Sequence, residues 1–136
     1  MKNPELLIQE LLKWHPTFSV KALSVGLGYF ENRSFKAKDI IFRQGELCDY
    51  MFFAENSISR CYYCNADGEE KTIWMEPEKM FITDFESFVK GNPSNSHLRF
   101  YQATEAWFIS RKNLLFLYEN YKDWSVFGIR LMETTA

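Results

Sequence analysis

The sequence predicts a mainly β domain with helices at both ends, its strands forming an antiparallel sandwich or barrel. Three observations carry this. Short β-branched and aromatic runs recur between residues 35 and 109, separated by turn residues at close spacing. An Asp-Gly turn lies inside "RCYYCNADGEEKTIWM", a strong hairpin signal because that dipeptide accepts the positive φ of tight turns. Apolar residues at helical spacing flank this block on both sides.

The first element is a helix. Asn3 can cap it, Pro4 suits the first turn and Glu5 favours the positive end of the helix dipole. Leu7, Leu11 and Trp14 share a face beside Ile8 and Leu12, and His15-Pro16 stops the run. Residues 17–34, with Gly26 and Gly28, read as a short helical turn and a first strand. The strand runs follow as "DIIF", "YMFFA", "ISRCYYC", "KTIWM", "HLRFYQ" and "ATEAWFIS". Ser110 can cap the next helix, in which Leu114, Leu117, Tyr118 and Tyr121 line up. Asp123 can cap a last one with Phe127 and Leu131 one turn apart, and Gly128 weakens it by roughly 1 kcal/mol relative to Ala. That helix is expected to continue beyond Ala136.

With 136 residues, the chain fits a single domain and buries roughly two-thirds of its unfolded surface. A net charge of -2 supplies no basic footprint for nucleic acid, which requires clustered positive charge. The longest apolar runs fall far short of the roughly 20 residues that span a bilayer. The N-terminal stretch has acidic residues among its leucines and no small-residue cleavage site, so it is not expected to act as a signal peptide. Three cysteines, an odd number, fit a reducing cytoplasm better than a disulfide framework.

Cys61 and Cys64 form a C-x-x-C, but in a strand positions three apart point to opposite faces. No second pair follows at zinc spacing, so the expectation is structural thiols and no metal, with Cys48 packed or half exposed. A cupin-type metal site needs clustered histidines, and the chain has only His15 and His97. No nucleophile motif or P-loop appears. The chain is expected not to be an enzyme and to have no catalytic residues.

In this order the pieces resemble a known family. "FKAKDIIFRQGELCDYMFF", "ISRCYYCNADGEEKTIW" and "FITDFESFVKGNPSNS" look like the strand-turn-strand, hairpin and phosphate-binding cassette of the cyclic-nucleotide-binding domain of Crp/Fnr-type bacterial transcription regulators. The resemblance covers roughly residues 5 to 135. It implies an antiparallel β-roll or jelly roll (a double-stranded β-helix) over about 35–109, with an N-terminal helix and two C-terminal helices over 110–136. It further implies a small-molecule effector, a homodimer formed through the C-terminal helix, and DNA contact through a helix-turn-helix domain not contained in these residues.

The cassette departs from the family pattern. Ser94 falls where the resemblance expects the phosphate-binding arginine, with Asn95 and Ser96 after it. Asp84 falls at the ribose-binding glutamate and Thr83 at the preceding glycine, with Phe85 beginning the short helix. Gly91 and Pro93 keep the turn, whereas Ser57 and Lys79 stand where relatives have turn glycines. Losing one member of a buried charged pair costs roughly 2–5 kcal/mol. Arg99 and Lys90 are the nearest cations that could compensate, with His97 beside Arg99, and N–H groups at the start of the short helix could hold an anion unaided. The expectation is a small-ligand sensor that does not bind cyclic AMP in the family's usual mode, with a cyclic nucleotide or another small anion as the candidate ligand and no cofactor assigned. The rival expectation is a ligand-free module whose pocket Trp74, Phe85 and Phe88 fill.

Overall fold

The computed structural model describes residues 3–54, 58–76 and 81–135. Among them are helices α1 (Glu5–Trp14), α2 (Val20–Leu27), α3 (Phe85–Lys90), α4 (Arg111–Asn120) and α5 (Lys122–Thr135). The first strands are β1 (Glu31–Phe35), β2 (Ile40–Phe42), β3 (Tyr50–Ala54) and β4 (Ser59–Cys64). The others are β5 (Glu70–Glu76), β6 (Phe81–Ile82), β7 (His97–Phe100) and β8 (Thr104–Ser110). The chain divides into two compact units, Met1–Glu31 with Ile109–Ala136, and Asn32–Phe108.

In the helical unit, Asn3 accepts from the Glu5 N–H (3.0 Å) and Pro4 sits just before the first helical residue. Leu7 and Leu11 are fully buried, as their spacing predicts. Residues 17–34 hold more helix than the sequence suggested. The Ser19 hydroxyl accepts from the Ala22 N–H (3.1 Å) and starts the eight-residue α2. Its Gly26 is a packing residue, since a Cβ there would lie 2.0 Å from the Trp124 ring. The Trp124 indole N–H donates to the Ala22 carbonyl (2.8 Å), fixing the ring over α2.

Two expectations for the last helix need correction. α5 begins at Lys122, and the Asp123 carboxylate is occupied by His15 Nε2 (2.8 Å) and the Ser19 N–H (3.0 Å) rather than capping the helix. Gly128, read as a weakness, is required for close approach: a Cβ there would lie 2.7 Å from the Tyr118 ring. Ser110 does cap α4, accepting from the Asn113 N–H (3.1 Å).

The β unit is the antiparallel roll. Its strands form two four-stranded sheets, ordered β1-β8-β3-β6 and β2-β7-β4-β5. Phe35, Phe42, Phe52, Leu98, Phe100 and Phe108, drawn from both sheets, form one core cluster. Alternation explains the selection: in β7, Leu98 and Phe100 are buried while His97 and Arg99 are only partly so. The hairpin joins β4 to β5 as expected, but only Gly68 takes positive φ (81°). The Asn65 side chain completes the turn by accepting from the N–H groups of Asp67 (3.0 Å) and Glu69 (2.9 Å).

Candidate functional site

The cassette is built between β6 and β7. Thr83 and Asp84 follow β6, α3 makes six residues of helix, and Gly91 ends it in the left-handed conformation (φ 75°). Pro93 bridges to Leu47, and the next residue is clasped from both sides. The Ser94 N–H donates to the Glu46 carbonyl (2.7 Å), and the Gly45 N–H donates to the Ser94 carbonyl (2.8 Å). The "RQGE" turn, with Gly45 at φ 89°, therefore holds the backbone of the cassette in place.

The side chains close on one another. Asp84 caps α3, one carboxylate oxygen accepting from the Ser87 N–H (3.2 Å), so it occupies the helix start that could otherwise hold an anion. Its other oxygen accepts from the Ser94 hydroxyl. The Ser96 N–H donates to Ser94 Oγ (3.2 Å), and the Ser96 carbonyl lies 3.0 Å from it. The Cys48 N–H donates to Ser87 Oγ (2.9 Å), and the Thr83 hydroxyl donates to the Tyr50 carbonyl (2.9 Å). The Cys48 thiol donates to the Tyr50 carbonyl (3.6 Å) and lies 3.2 Å from Thr83 Oγ1, a contact in which either atom can be the donor. The Cys61 thiol likewise donates to Ser96 Oγ (3.3 Å).

Thr83, Ser87, Ser94 and Ser96 are all buried, whereas Asn95 is exposed. Burial pushes the pKa of both thiols up, outweighing the hydrogen bonds that oppose it. Both therefore act as neutral donors rather than reactive thiolates. The C-x-x-C separates across the strand: Cys61 is buried and Cys64 is half exposed, and neither forms a disulfide. Among the described residues no cluster of three metal-ligating side chains comes together.

The structure brings Thr83, Asp84, Ser94 and Ser96 together and leaves the two cations elsewhere. Lys90 is exposed at the end of α3. Arg99 lies over the Tyr62 ring, 5.7 Å from its centre, because strand alternation turns it away from the core face that Leu98 and Phe100 occupy. Among the described residues no lysine or arginine forms an ion pair with Asp84. Phe88 is buried, while the side chains of Phe85 and Trp74 and the positions of Ser57 and Lys79 lie outside the described residues. The network also recruits residues that sequence reasoning did not assign to it: Cys48, Cys61 and Ser87. Strand parity put Cys61 and Cys64 on opposite faces without saying which one faces the core, and nothing local marked Ser87.

Comparison with known proteins fixes the class. The family model for the cyclic nucleotide-binding domain matches residues 32–121, and the chain belongs to that family, which is regulatory and typically non-enzymatic. No curated protein matches the sequence. The fold is similar to a cyclic nucleotide-binding domain from Methylobacillus flagellatus KT (TM-score 0.80, 17% identity, covering 98% of this chain and 78% of that one). It is also similar to the sensor domain of the transcriptional regulator DNR from Pseudomonas aeruginosa (TM-score 0.75, 16% identity, 95% and 88%). A third likeness is to the Thermus thermophilus catabolite activator protein (TM-score 0.73, 18% identity), of which the chain spans 57% while 92% of this chain is covered. Among the described residues no helix is long and apolar enough to cross a membrane.

Proposed function

We propose that this domain is the small-ligand sensor of a Crp/Fnr-like transcription regulator, with a cassette that does not bind cyclic AMP in the family's usual mode. One observation carries the reading: the Ser94 hydroxyl, at the position corresponding to the family's arginine, donates to Asp84. A phosphate entering there meets a carboxylate held by neutral donors in place of a guanidinium. The charge-assisted bonds that make such sites strong are missing. A deficit of roughly 2–5 kcal/mol weakens binding about thirty-fold to several-thousand-fold.

The ligand that suits this cassette presents hydrogen-bond donors to Asp84 rather than a phosphate. Its binding shifts the regulator between two states only insofar as it prefers one of them. In the whole protein the effect passes through a C-terminal helix, a homodimer and a helix-turn-helix domain that reads DNA. A second reading, a ligand-free interaction and dimerisation module, is favoured by a different observation: every buried hydroxyl of the cassette already has an internal partner.

Thermal unfolding against cyclic mono- and dinucleotides, nucleosides, nucleotides and simple anions separates these. A ligand at about a hundred times its Kd stabilises the fold by about 2.7 kcal/mol. A shift with a nucleoside but not with cyclic AMP supports the sensor reading. A full shift with cyclic AMP overturns it, and silence across the panel favours the module.

A further inference from the structure

Independently of how the cassette is read, the outward face of the sheet β2-β7-β4-β5 carries a second polar cluster. Register builds it. Arg99 stands opposite Ile40 on one side and Arg60 on the other, and Arg60 stands opposite Met75. Cross-strand partners share a face, so one row across four strands reads Ile40, Arg99, Arg60, Met75. Like charges directly opposite each other destabilise a sheet unless something neutralises them.

Arg60 is neutralised within the chain. Its Nη1 donates to Glu70 (2.8 Å) and its Nε to Thr72 Oγ1 (2.9 Å). Arg99 is not. Its guanidinium lies 5.7 Å from the centre of the Tyr62 ring, over which Arg60 also stacks at 4.3 Å. Its Nε is buried without a hydrogen-bond partner, and among the described residues it forms no ion pair. His97 also stacks on Tyr62 (5.0 Å), and its Nδ1 accepts from the Gln44 N–H (3.1 Å). Burial, then Arg43 and Arg99, lower the pKa of His97, while Glu70 and Glu46 oppose them. The lowered pKa of His97 disfavours a second positive charge beside Arg99, and among the described residues no carboxylate pairs with Arg99.

We propose that this sheet face is a docking surface for a partner protein that sets an aspartate or glutamate side chain on the Arg99 guanidinium. The fork of a guanidinium matches a carboxylate in two parallel hydrogen bonds. Arginine and methionine are among the residue types enriched at protein interfaces, while Tyr62 is buried beneath the guanidinium groups. Met75 and Ile73, each 55% exposed, flank the charge with apolar surface. Sites for small molecules are concave, and an open sheet face suits a macromolecular partner better.

The test follows the arginine side-chain N–H resonances of the 15N-labelled chain during titration. The probes are the peptides acetyl-Leu-Glu-Leu-amide and acetyl-Leu-Gln-Leu-amide, sodium acetate and inorganic phosphate. The glutamate peptide is expected to give a saturable shift at Arg99, with the glutamine peptide about ten-fold weaker, the difference between a charged and a neutral acceptor. The glutamate peptide is also expected to shift the Arg60 Nε–H, which stacks on the same Tyr62 ring, and Arg99→Gln is expected to abolish that shift while the backbone amide spectrum of the free variant stays native. Should that variant unfold, Arg99→Lys keeps the charge without the fork and is expected to bind measurably more weakly. No saturable shift, or one that survives in Arg99→Gln, overturns the proposal. Acetate or phosphate binding as tightly as the glutamate peptide also overturns it, in favour of a small-anion site.

Discussion

Asp123 in the helical unit and Asp84 in the roll each use both carboxylate oxygens, but on different kinds of partner. Asp123 accepts from His15 Nε2 (2.8 Å) and the Ser19 N–H (3.0 Å). Arg130, which can only donate, lies 3.3 Å from His15 Nδ1, so that nitrogen is the acceptor and Nε2 carries the proton. Every hydrogen in that chain has one direction. Asp84 accepts from the Ser87 N–H and from the Ser94 hydroxyl, and a hydroxyl both donates and accepts. The helical network is locked and the cassette network is convertible. A network of hydroxyls can redirect its hydrogen bonds without unfolding the roll, whereas the helix junction tolerates no such exchange.

The largest effect that bears on this comparison is in the packing that holds the locked network in place. Trp124 follows Asp123 directly, is fully buried, and stacks edge-on against Phe18 (4.9 Å) and Phe127 (5.7 Å). Trp124→Ala is expected to cost about 3–5 kcal/mol in urea unfolding, the range for emptying a large aromatic site. A cost below about 1 kcal/mol would show that the helical unit repacks freely, and the contrast with the cassette would fail.

How much of this was visible beforehand depends on where the information sits. The roll was legible because strand alternation and turn chemistry are local, as "NADGEE" and the buried Leu98 and Phe100 show. The extent of α2 was not, because residues 17–34, with two glycines, read only as a short helical turn and a strand. The reason for Gly26 is the Trp124 ring, 98 positions away along the chain and invisible to any window. In the cassette, counting from Gly91 and Pro93 singled out Ser94 and Asp84 as positions but not the hydrogen bond between them. Their hydrogen bond spans α3, and the donation from Cys48 to Ser87 joins residues 39 apart. Composition could list the hydroxyls, but only the fold could say that they satisfy one another.

The next effect in size compares two isosteric changes. In Asp84→Asn the amide oxygen keeps the Ser87 N–H, and asparagine caps helices as well as aspartate does. The amide NH2 then faces Ser94 Oγ, which accepts once its own proton turns to the Ser96 carbonyl 3.0 Å away. The expected cost is within about 0.5 kcal/mol. In Asp123→Asn, an NH2 facing Ser19 meets another N–H. Turned towards His15, it forces the proton onto Nδ1, against Arg130. Either choice strands a donor, and the expected cost is about 1–3 kcal/mol. Equal costs for the two variants would erase the distinction between locked and convertible networks.

The smallest effect, and the most specific, is in acid. The pKa of Asp123 is held below the ordinary aspartate range, chiefly by its hydrogen bond with His15 and then by the Ser19 N–H. A depressed folded-state pKa means that its stabilisation is fully present above the unfolded value, about pH 3.9, and is lost as pH falls through the folded value. The gap in melting temperature between the wild-type chain and Asp123→Asn should therefore be widest near neutrality and shrink below that point. Protonation removes the charge that the substitution also removes, so in strong acid the two chains differ only in one donor. A gap that held constant from neutral pH down into acid would mean that the carboxylate acts through shape alone. The charge would then contribute nothing to locking the helix junction, and its contrast with Asp84 would rest entirely on the direction of the hydrogen bonds.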